Sequence, residues 1–83
     1  MKNNLNIKIY GTDWCSDCTR AKSFLDKYQV EYNWFNIELD KELQDYVREM
    51  NNGKQIVPTI IFNDGTVLVE PTNAELAEKL GIN

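Results

Sequence analysis

The sequence contains no histidine and only two cysteines, and these shortages narrow the chemistry that it can perform. A hydrolase that pairs cysteine with histidine is excluded within one chain, since the nucleophile would lack its usual base. A tetrahedral zinc site is disfavoured, because it needs about four cysteine, histidine or carboxylate ligands. One cysteine pair is also not the disulfide framework of a small secreted protein. Redox chemistry is therefore a better role for the two cysteines than hydrolysis, zinc binding or structural support.

Basic clusters and long apolar runs are missing as well. The sequence has 13 acidic and 9 basic residues, and a net charge of -4 disfavours binding to nucleic acid or to an anionic membrane. No apolar run approaches the roughly 20 residues that span a bilayer, and residues 1–4 lead into a short strand instead of a signal-peptide core. We predict one small cytoplasmic domain over residues 1–83 that binds neither nucleic acid nor membrane.

The two cysteines form a CxxC pair between a predicted strand and a predicted helix. Residues three apart on the first turn of a helix lie on one face, so the Cys15 and Cys18 sulfurs are within reach of a disulfide bond. A helix start at Cys15 favours its thiolate through the free N–H groups and the helix dipole, whereas Cys18, one turn later, should be buried. We expect Cys15 to attack a disulfide and Cys18 to resolve the product.

Asp17 lies between the two cysteines and is the most distinctive residue of this segment. A carboxylate in the first turn of a helix stabilises it by about 0.3–1 kcal/mol. If Asp17 also approaches the Cys15 sulfur, its charge opposes the Cys15 thiolate. Arg20, three residues later, can pair with Asp17 and weaken that opposition. The sequence leaves both roles of Asp17 open.

The first half of the chain has the pattern of a β-α-β unit. Apolar residues with a period of two predict a first strand that includes Leu5, Ile7 and Ile9. A helical stripe follows, at Ala21, Phe24, Leu25 and Tyr28, with Cys18 three residues before it. The aromatic-rich residues 32–37 predict a second strand, which a right-handed crossover places parallel to the first. Packing against the sheet is the expected role of these aromatic side chains.

The second half of the chain predicts a helix, a hairpin and a final helix. Asp40 can cap a helix with an apolar stripe before residues 51–53 end it. Two short apolar runs flank an Asp64-Gly65 pair, a strong signal for an antiparallel hairpin. Thr72 and Glu75 fit a capping box, and Gly81 ends the last helix. The predicted order is β-α-β-α-β-β-α.

Together with the dithiol, this order resembles the glutaredoxin family, and most closely its mycoredoxin-type, glutaredoxin-like branch. The resemblance is carried by residues 10–18, 51–59, 62–65 and 70–73, which read YGTDWCSDC, NNGKQIVPT, FNDG and EPTN. It implies an α/β, thioredoxin-like fold in which a four-stranded mixed sheet is flanked by three helices. It also implies a thiol–disulfide oxidoreductase with a reversible Cys15–Cys18 dithiol.

The resemblance assigns further residues to substrate binding. It implies that the Val57-Pro58 bond is cis and faces the dithiol, so that the Val57 backbone can pair with a substrate. The other implied binding residues are Trp14, Lys54, Gln55, Thr72 and Asn73. Two departures from the family bear on glutathione binding: Thr12 replaces a basic residue common in the family, and residues 69–73 replace its double-glycine, acidic segment.

The expected substrates are protein disulfides or mixed disulfides between a protein and a small thiol. The electrons would come from a low-molecular-weight thiol or from thioredoxin reductase, and no metal or organic cofactor is expected. We expect a monomer. Two alternatives remain: a dedicated electron donor to a reductase such as ribonucleotide reductase, and an iron–sulfur carrier in which two subunits hold a cluster through their first cysteines and two thiols.

Overall fold

The structure, a computed structural model, describes residues 6–82. The strand residue predicted at Leu5 lies outside this part of the chain. The elements follow the predicted order, which is confirmed. They are β1 (Ile7–Gly11), α1 (Ser16–Lys27), β2 (Tyr32–Asn36), α2 (Lys41–Met50), β3 (Thr59–Ile61), β4 (Val67–Val69) and α3 (Asn73–Leu80).

The four strands form one mixed sheet in the order β2-β1-β3-β4. β1 runs parallel to β2, and Ile9 lies opposite Trp34. On its other side β1 is antiparallel to β3, and there Ile9 lies opposite Ile60. β3 and β4 form the predicted antiparallel hairpin. The carboxyl end of β1, where the chain turns toward the dithiol, is therefore at the centre of the sheet.

Apolar side chains cover both faces of the sheet. The larger cluster joins strand residues to α1 and α3, and it consists of Ile7, Ile9, Ala21, Leu25, Ile60, Phe62 and Leu76. The smaller cluster joins Tyr10 and Ile37 to Val47 of α2. The aromatic residues of β2 divide between the faces, because Trp34 packs against the larger cluster and Phe35 against the smaller. This confirms their predicted packing role.

The helix ends follow the sequence signals. The Asp40 side chain accepts a hydrogen bond from the N–H of Leu43, and the capping box of Thr72 and Glu75 is complete. Gly81 ends α3 in the left-handed conformation with φ 73°. The stripe predicted for α1 is wrong at its last member: Tyr28 lies beyond the final turn and is 41% exposed. A three-to-four spacing does not show where the helix leaves the sheet.

The helices of residues 6–82 are short. The longest of them, α1, has 12 residues. None of the helices in this range is long and apolar enough to cross a membrane.

Candidate active site

The dithiol lies where the loop after β1 enters α1. Cys15 is the N-cap residue of α1, with an extended backbone of φ -88° and ψ 115°. Its Sγ accepts a hydrogen bond of 3.1 Å from the backbone N–H of Cys18. At most helix starts the acceptor of this bond is a side-chain oxygen. Cys15 is half-buried, and both cysteines are free thiols. The more accessible sulfur is thus held at the positive end of a helix.

Cys18 is fully buried behind Cys15. Burial is the main reason that its pKa is raised to about 12, and a hydrogen bond with the Cys15 side chain raises it further. The backbone N–H of Thr12 and the charge of Lys22 act on the same pKa in the opposite direction. Cys18 is therefore a protonated thiol at neutral pH, and its burial agrees with the prediction from the sequence.

Gly11, the last residue of β1, provides the space for the Cys18 sulfur. A Cβ atom at Gly11 would overlap Cys18 Sγ and would lie 3.0 Å from Cη2 of Trp34. The ring of Trp34 in turn carries the Lys22 ammonium, whose Nζ is 3.6 Å from the ring centroid. Sequence reasoning did not single out Gly11, Lys22 or Trp34. The spacing of four between Cys18 and Lys22 was the available signal.

The Val57-Pro58 bond lies opposite the dithiol and is cis. Cys15 Sγ is 4.0 Å from the carbonyl oxygen of Val57. Pro58 is fully buried, and its carbonyl accepts a hydrogen bond of 2.9 Å from the N–H of Glu70. The loop before β3 is thus fixed to the segment after β4 and faces the attacking sulfur.

Three polar side chains connect the first turns of α1 and α3. Arg20 Nη2 is 3.4 Å from Oδ1 of Asp17, which is the pairing expected from their spacing. The other terminal nitrogen of Arg20 donates a hydrogen bond of 2.9 Å to Oδ1 of Asn73. Arg20 therefore connects Asp17, which lies between the cysteines, to Asn73, the first residue of α3.

The start of α3 is occupied by its own side chains. Thr72 Oγ1 accepts a hydrogen bond of 3.1 Å from the N–H of Glu75, and Glu75 Oε1 accepts one of 2.8 Å from the N–H of Thr72. Asn73 is already bonded to Arg20. The side chains of Thr72 and Asn73, two of the expected substrate-binding residues, thus have partners within the protein.

Lys54, Gln55 and Trp14 are exposed. The side chain of Gln55 accepts a hydrogen bond of 2.7 Å from Nη2 of Arg48, which ties it to α2. Trp14, directly before Cys15, is 71% exposed. The contacts within residues 6–82 therefore bring Val57 and Pro58 to the dithiol, whereas they direct Gln55 toward α2.

A dithiol at a helix start, opposite a cis proline and on a thioredoxin-like sheet, defines a thiol–disulfide oxidoreductase. The particular family follows from comparison with known proteins. The family model named Glutaredoxin matches residues 7–67, and the chain belongs to the glutaredoxin family. Members of this family generally work with disulfide substrates and thiol reductants.

Individual relatives agree with this assignment. Mycoredoxin 1 of Corynebacterium glutamicum is 37% identical over 75 residues, covering 90% of this chain and 92% of its own. A putative glutaredoxin of Mycobacterium tuberculosis is 35% identical over 74 residues, covering 89% and 88%. The crystal structure of the glutaredoxin from Methanosarcina mazei Go1 superposes with a TM-score of 0.76 at 26% identity, covering 93% of this chain and 79% of that one. These findings confirm the predicted fold and family.

Proposed function

We propose that this protein reduces disulfides by a two-cysteine route in which Cys15 attacks and Cys18 resolves. The Cys15 thiolate forms a bond with one sulfur of the substrate, and the other substrate sulfur leaves as a thiolate that takes up a proton. Cys18 then loses its proton and attacks Cys15, which releases the second substrate thiol and leaves the Cys15–Cys18 disulfide. The observation that carries this proposal is the pairing of an accessible helix-capping sulfur with a fully buried one.

Substrate binding would use the backbone beside Pro58. The carbonyl oxygen of Val57, 4.0 Å from Cys15 Sγ, lies where a peptide next to the attacked sulfur would pass. The exposed ring of Trp14, the residue directly before Cys15, adds an apolar surface. An extended peptide that carries a disulfide fits this arrangement, because it can pair with backbone groups irrespective of its side chains.

Three acidic residues lie near the dithiol, two of them by their position in the chain and one through a backbone contact, and they bear on the choice of small thiol. Asp13 precedes Cys15 by two residues, Asp17 follows it by two, and Glu70 is bonded through its backbone to Pro58. The side chains of Thr72, Glu75 and Asn73 at the start of α3 already form hydrogen bonds within the protein. Both features support protein disulfides, or mixed disulfides with a weakly charged thiol, over strongly anionic small thiols.

We further propose that the protein works in the cytoplasm, as a monomer, without a metal or organic cofactor. Its electrons would come from a low-molecular-weight thiol or from thioredoxin reductase, because a dithiol oxidised in each turnover has to be reduced again. The cytoplasm supplies both reductants and keeps such a pair reduced between turnovers.

The test is a turnover assay with two substrates and three reductants. The substrates are a protein disulfide and a protein carrying a mixed disulfide, and the reductants are glutathione, mycothiol and thioredoxin reductase with its electron donor. Cys15→Ser should be inactive throughout. Cys18→Ser should lose its activity toward the protein disulfide and keep its activity toward the mixed disulfide. Activity of Cys15→Ser equal to that of the unchanged protein would overturn the proposal.

The same preparation decides between reduction and iron–sulfur transport. The protein is purified without oxygen, and its iron content and visible absorption are measured before the assay. Iron-free protein that turns over disulfides supports the proposal. Protein that binds a cluster and lacks turnover with every reductant contradicts it.

A further inference from the structure

Lys22 lies one helical turn after the resolving cysteine. Residues four apart on a helix are neighbours on its surface, so Lys22 and Cys18 occupy one face of α1. Lys22 is half-buried. Its Nζ is 3.6 Å from the centroid of the Trp34 ring, a geometry in which the ring attracts the ammonium. A long, flexible side chain is thus directed toward β2 on the side of the buried sulfur.

Trp34 also borders the space that contains the Cys18 sulfur. Its Cη2 and Cζ3 atoms lie 3.0 and 3.1 Å from the position of a Cβ on Gly11, and Cys18 Sγ overlaps that same position. The Trp34 ring therefore contacts the region of the sulfur on one side and carries the Lys22 charge on another. Because Ile9 and Trp34 are paired across the sheet, the ring belongs to a fixed part of the fold.

The surroundings of Cys18 contain little charge. Gly11 and Trp34 contribute none. Thr12 contributes a backbone N–H, and Cys15 contributes the neighbouring sulfur. Within residues 6–82, Lys22 is the one cationic side chain that favours the ionised form of Cys18. Cys18 has to lose its proton before it can attack, so its surroundings oppose the resolving step except where Lys22 and the Thr12 N–H assist it.

We propose that Lys22, held in place by the Trp34 ring, is a positioning residue that stabilises the Cys18 thiolate during the resolving step. Cys18 gives its proton to solvent, its sulfur bonds to Cys15, and the bond between Cys15 and the substrate breaks. The substrate sulfur leaves with the electron pair of that bond and takes up a proton. Lys22 stays protonated and acts through its charge. This inference rests on the proposed two-cysteine route.

The experiment separates the two chemical steps. For the resolving step, a mixed disulfide with a chromophoric thiol is formed on Cys15 at low pH, and release of the thiol is followed by stopped flow from pH 5 to 9. For the first attack, the same chromophoric disulfide is mixed with Cys18→Ser protein. Lys22→Gln is introduced both into the protein with two cysteines and into the Cys18→Ser protein. Lys27→Gln is the matched control, because Lys27 lies on the same helix over Tyr28 at 5.4 Å, away from the dithiol.

Lys22→Gln should slow the resolving step about three- to tenfold at pH 7, as expected for the loss of one nearby charge, and should move its pH profile to higher pH. The first attack should be unchanged. Lys22→Arg should restore most of the rate, and Trp34→Phe should retain more of it than Trp34→Leu. Lys27→Gln should change neither step.

Three outcomes would overturn the inference. These are an unchanged resolving rate in Lys22→Gln, an equal loss in both steps, and an equal loss in Lys27→Gln. Melting temperatures of all variants identify losses that come from unfolding. A different result would count against the two-cysteine route itself: the unchanged protein and the Lys22 variants would all keep their mixed disulfide without releasing the thiol.

Discussion

The backbone N–H of Cys18 donates a hydrogen bond of 3.1 Å to Sγ of Cys15, so the proposed attacking sulfur is also the N-terminal cap of α1. Helix starts leave four N–H groups without partners inside the helix. One of these groups points here at the atom that is to carry negative charge. A single contact therefore links the start of the helix to the sulfur that is proposed to attack.

This dual role predicts different consequences for two substitutions of Cys15. Both Cys15→Ser and Cys15→Ala should abolish turnover, because neither side chain can form a disulfide. Serine can still cap α1, whereas alanine cannot, so Cys15→Ala should lose about 1 kcal/mol of unfolding free energy relative to Cys15→Ser. Urea unfolding of the reduced proteins measures the difference. Equal free energies would show that a capping side chain at position 15 does not stabilise α1.

The two cysteines should differ in their reaction with iodoacetamide. At pH 8 the reduced, folded protein should be modified at Cys15 and protected at Cys18, since Cys18 is fully buried and its pKa is raised to about 12. Peptide mass mapping locates the label. Protein unfolded in urea is the control and should be modified at both positions. Labelling of Cys18 before Cys15 in the folded protein would reverse the assigned roles.

Gly11→Ala should disturb the packing around the Cys18 sulfur. The added Cβ would overlap Cys18 Sγ and approach the Trp34 ring, so we expect a loss of roughly 1–3 kcal/mol of stability and a slower resolving step. Gly53→Ala is the matched control. Gly53 has φ 90° and no atom within 4 Å of an added Cβ, so that variant should lose stability through backbone strain alone and keep its turnover rate.

Thr12 and Thr59 are both buried, yet they should respond differently to valine. Thr59 Oγ1 donates a hydrogen bond of 2.7 Å to the Ile56 carbonyl and accepts one of 3.1 Å from Asn51. Among residues 6–82 Thr12 Oγ1 has no hydrogen-bond partner. Thr59→Val should therefore cost about 1–3 kcal/mol, and Thr12→Val should be neutral or stabilising. Thermal and urea unfolding test the pair. A large loss in Thr12→Val would reveal a partner for its hydroxyl.

Asp17→Asn should change the preference for charged substrates. Removal of a carboxylate two residues from Cys15 should speed the attack on glutathione disulfide, which is anionic, by roughly two- to fivefold at low salt. Attack on a neutral aromatic disulfide should change less. Asp45→Asn is the control, because Asp45 pairs with Lys41 and Arg48 on α2. The difference should shrink as salt is added. An equal gain for both disulfides would assign the effect to the thiol itself.

Local signals explain what the sequence predicted of this fold. The caps at Asp40 and Thr72, the end of α3 at Gly81 and the turn at Asp64-Gly65 depend on residues within a few positions of one another. The same holds for Cys15 and Cys18, whose relation is set by a single helical turn. Such short-range relations can be recognised from spacing before the fold is known.

Long-range contacts explain what the sequence could not predict. The Arg20–Asn73 hydrogen bond joins residues 53 apart. The stacking of Lys22 on Trp34 depends on the register between β1 and β2, which fixes the strand residue that faces α1. Gly11 stands beside the dithiol in sequence, but the need for glycine there appears only when the Cys18 sulfur and the Trp34 ring occupy the same space.

The two tryptophans of the chain are distributed so that each sulfur has its own fluorophore. Trp14 is 71% exposed and adjoins Cys15, whereas Trp34 is half-buried and borders the space around Cys18. The emission of Trp14 should therefore report on the approach of a substrate to Cys15. The emission of Trp34 should report on the formation of the Cys15–Cys18 disulfide. Variants with a single tryptophan would let both events be followed optically without any added label.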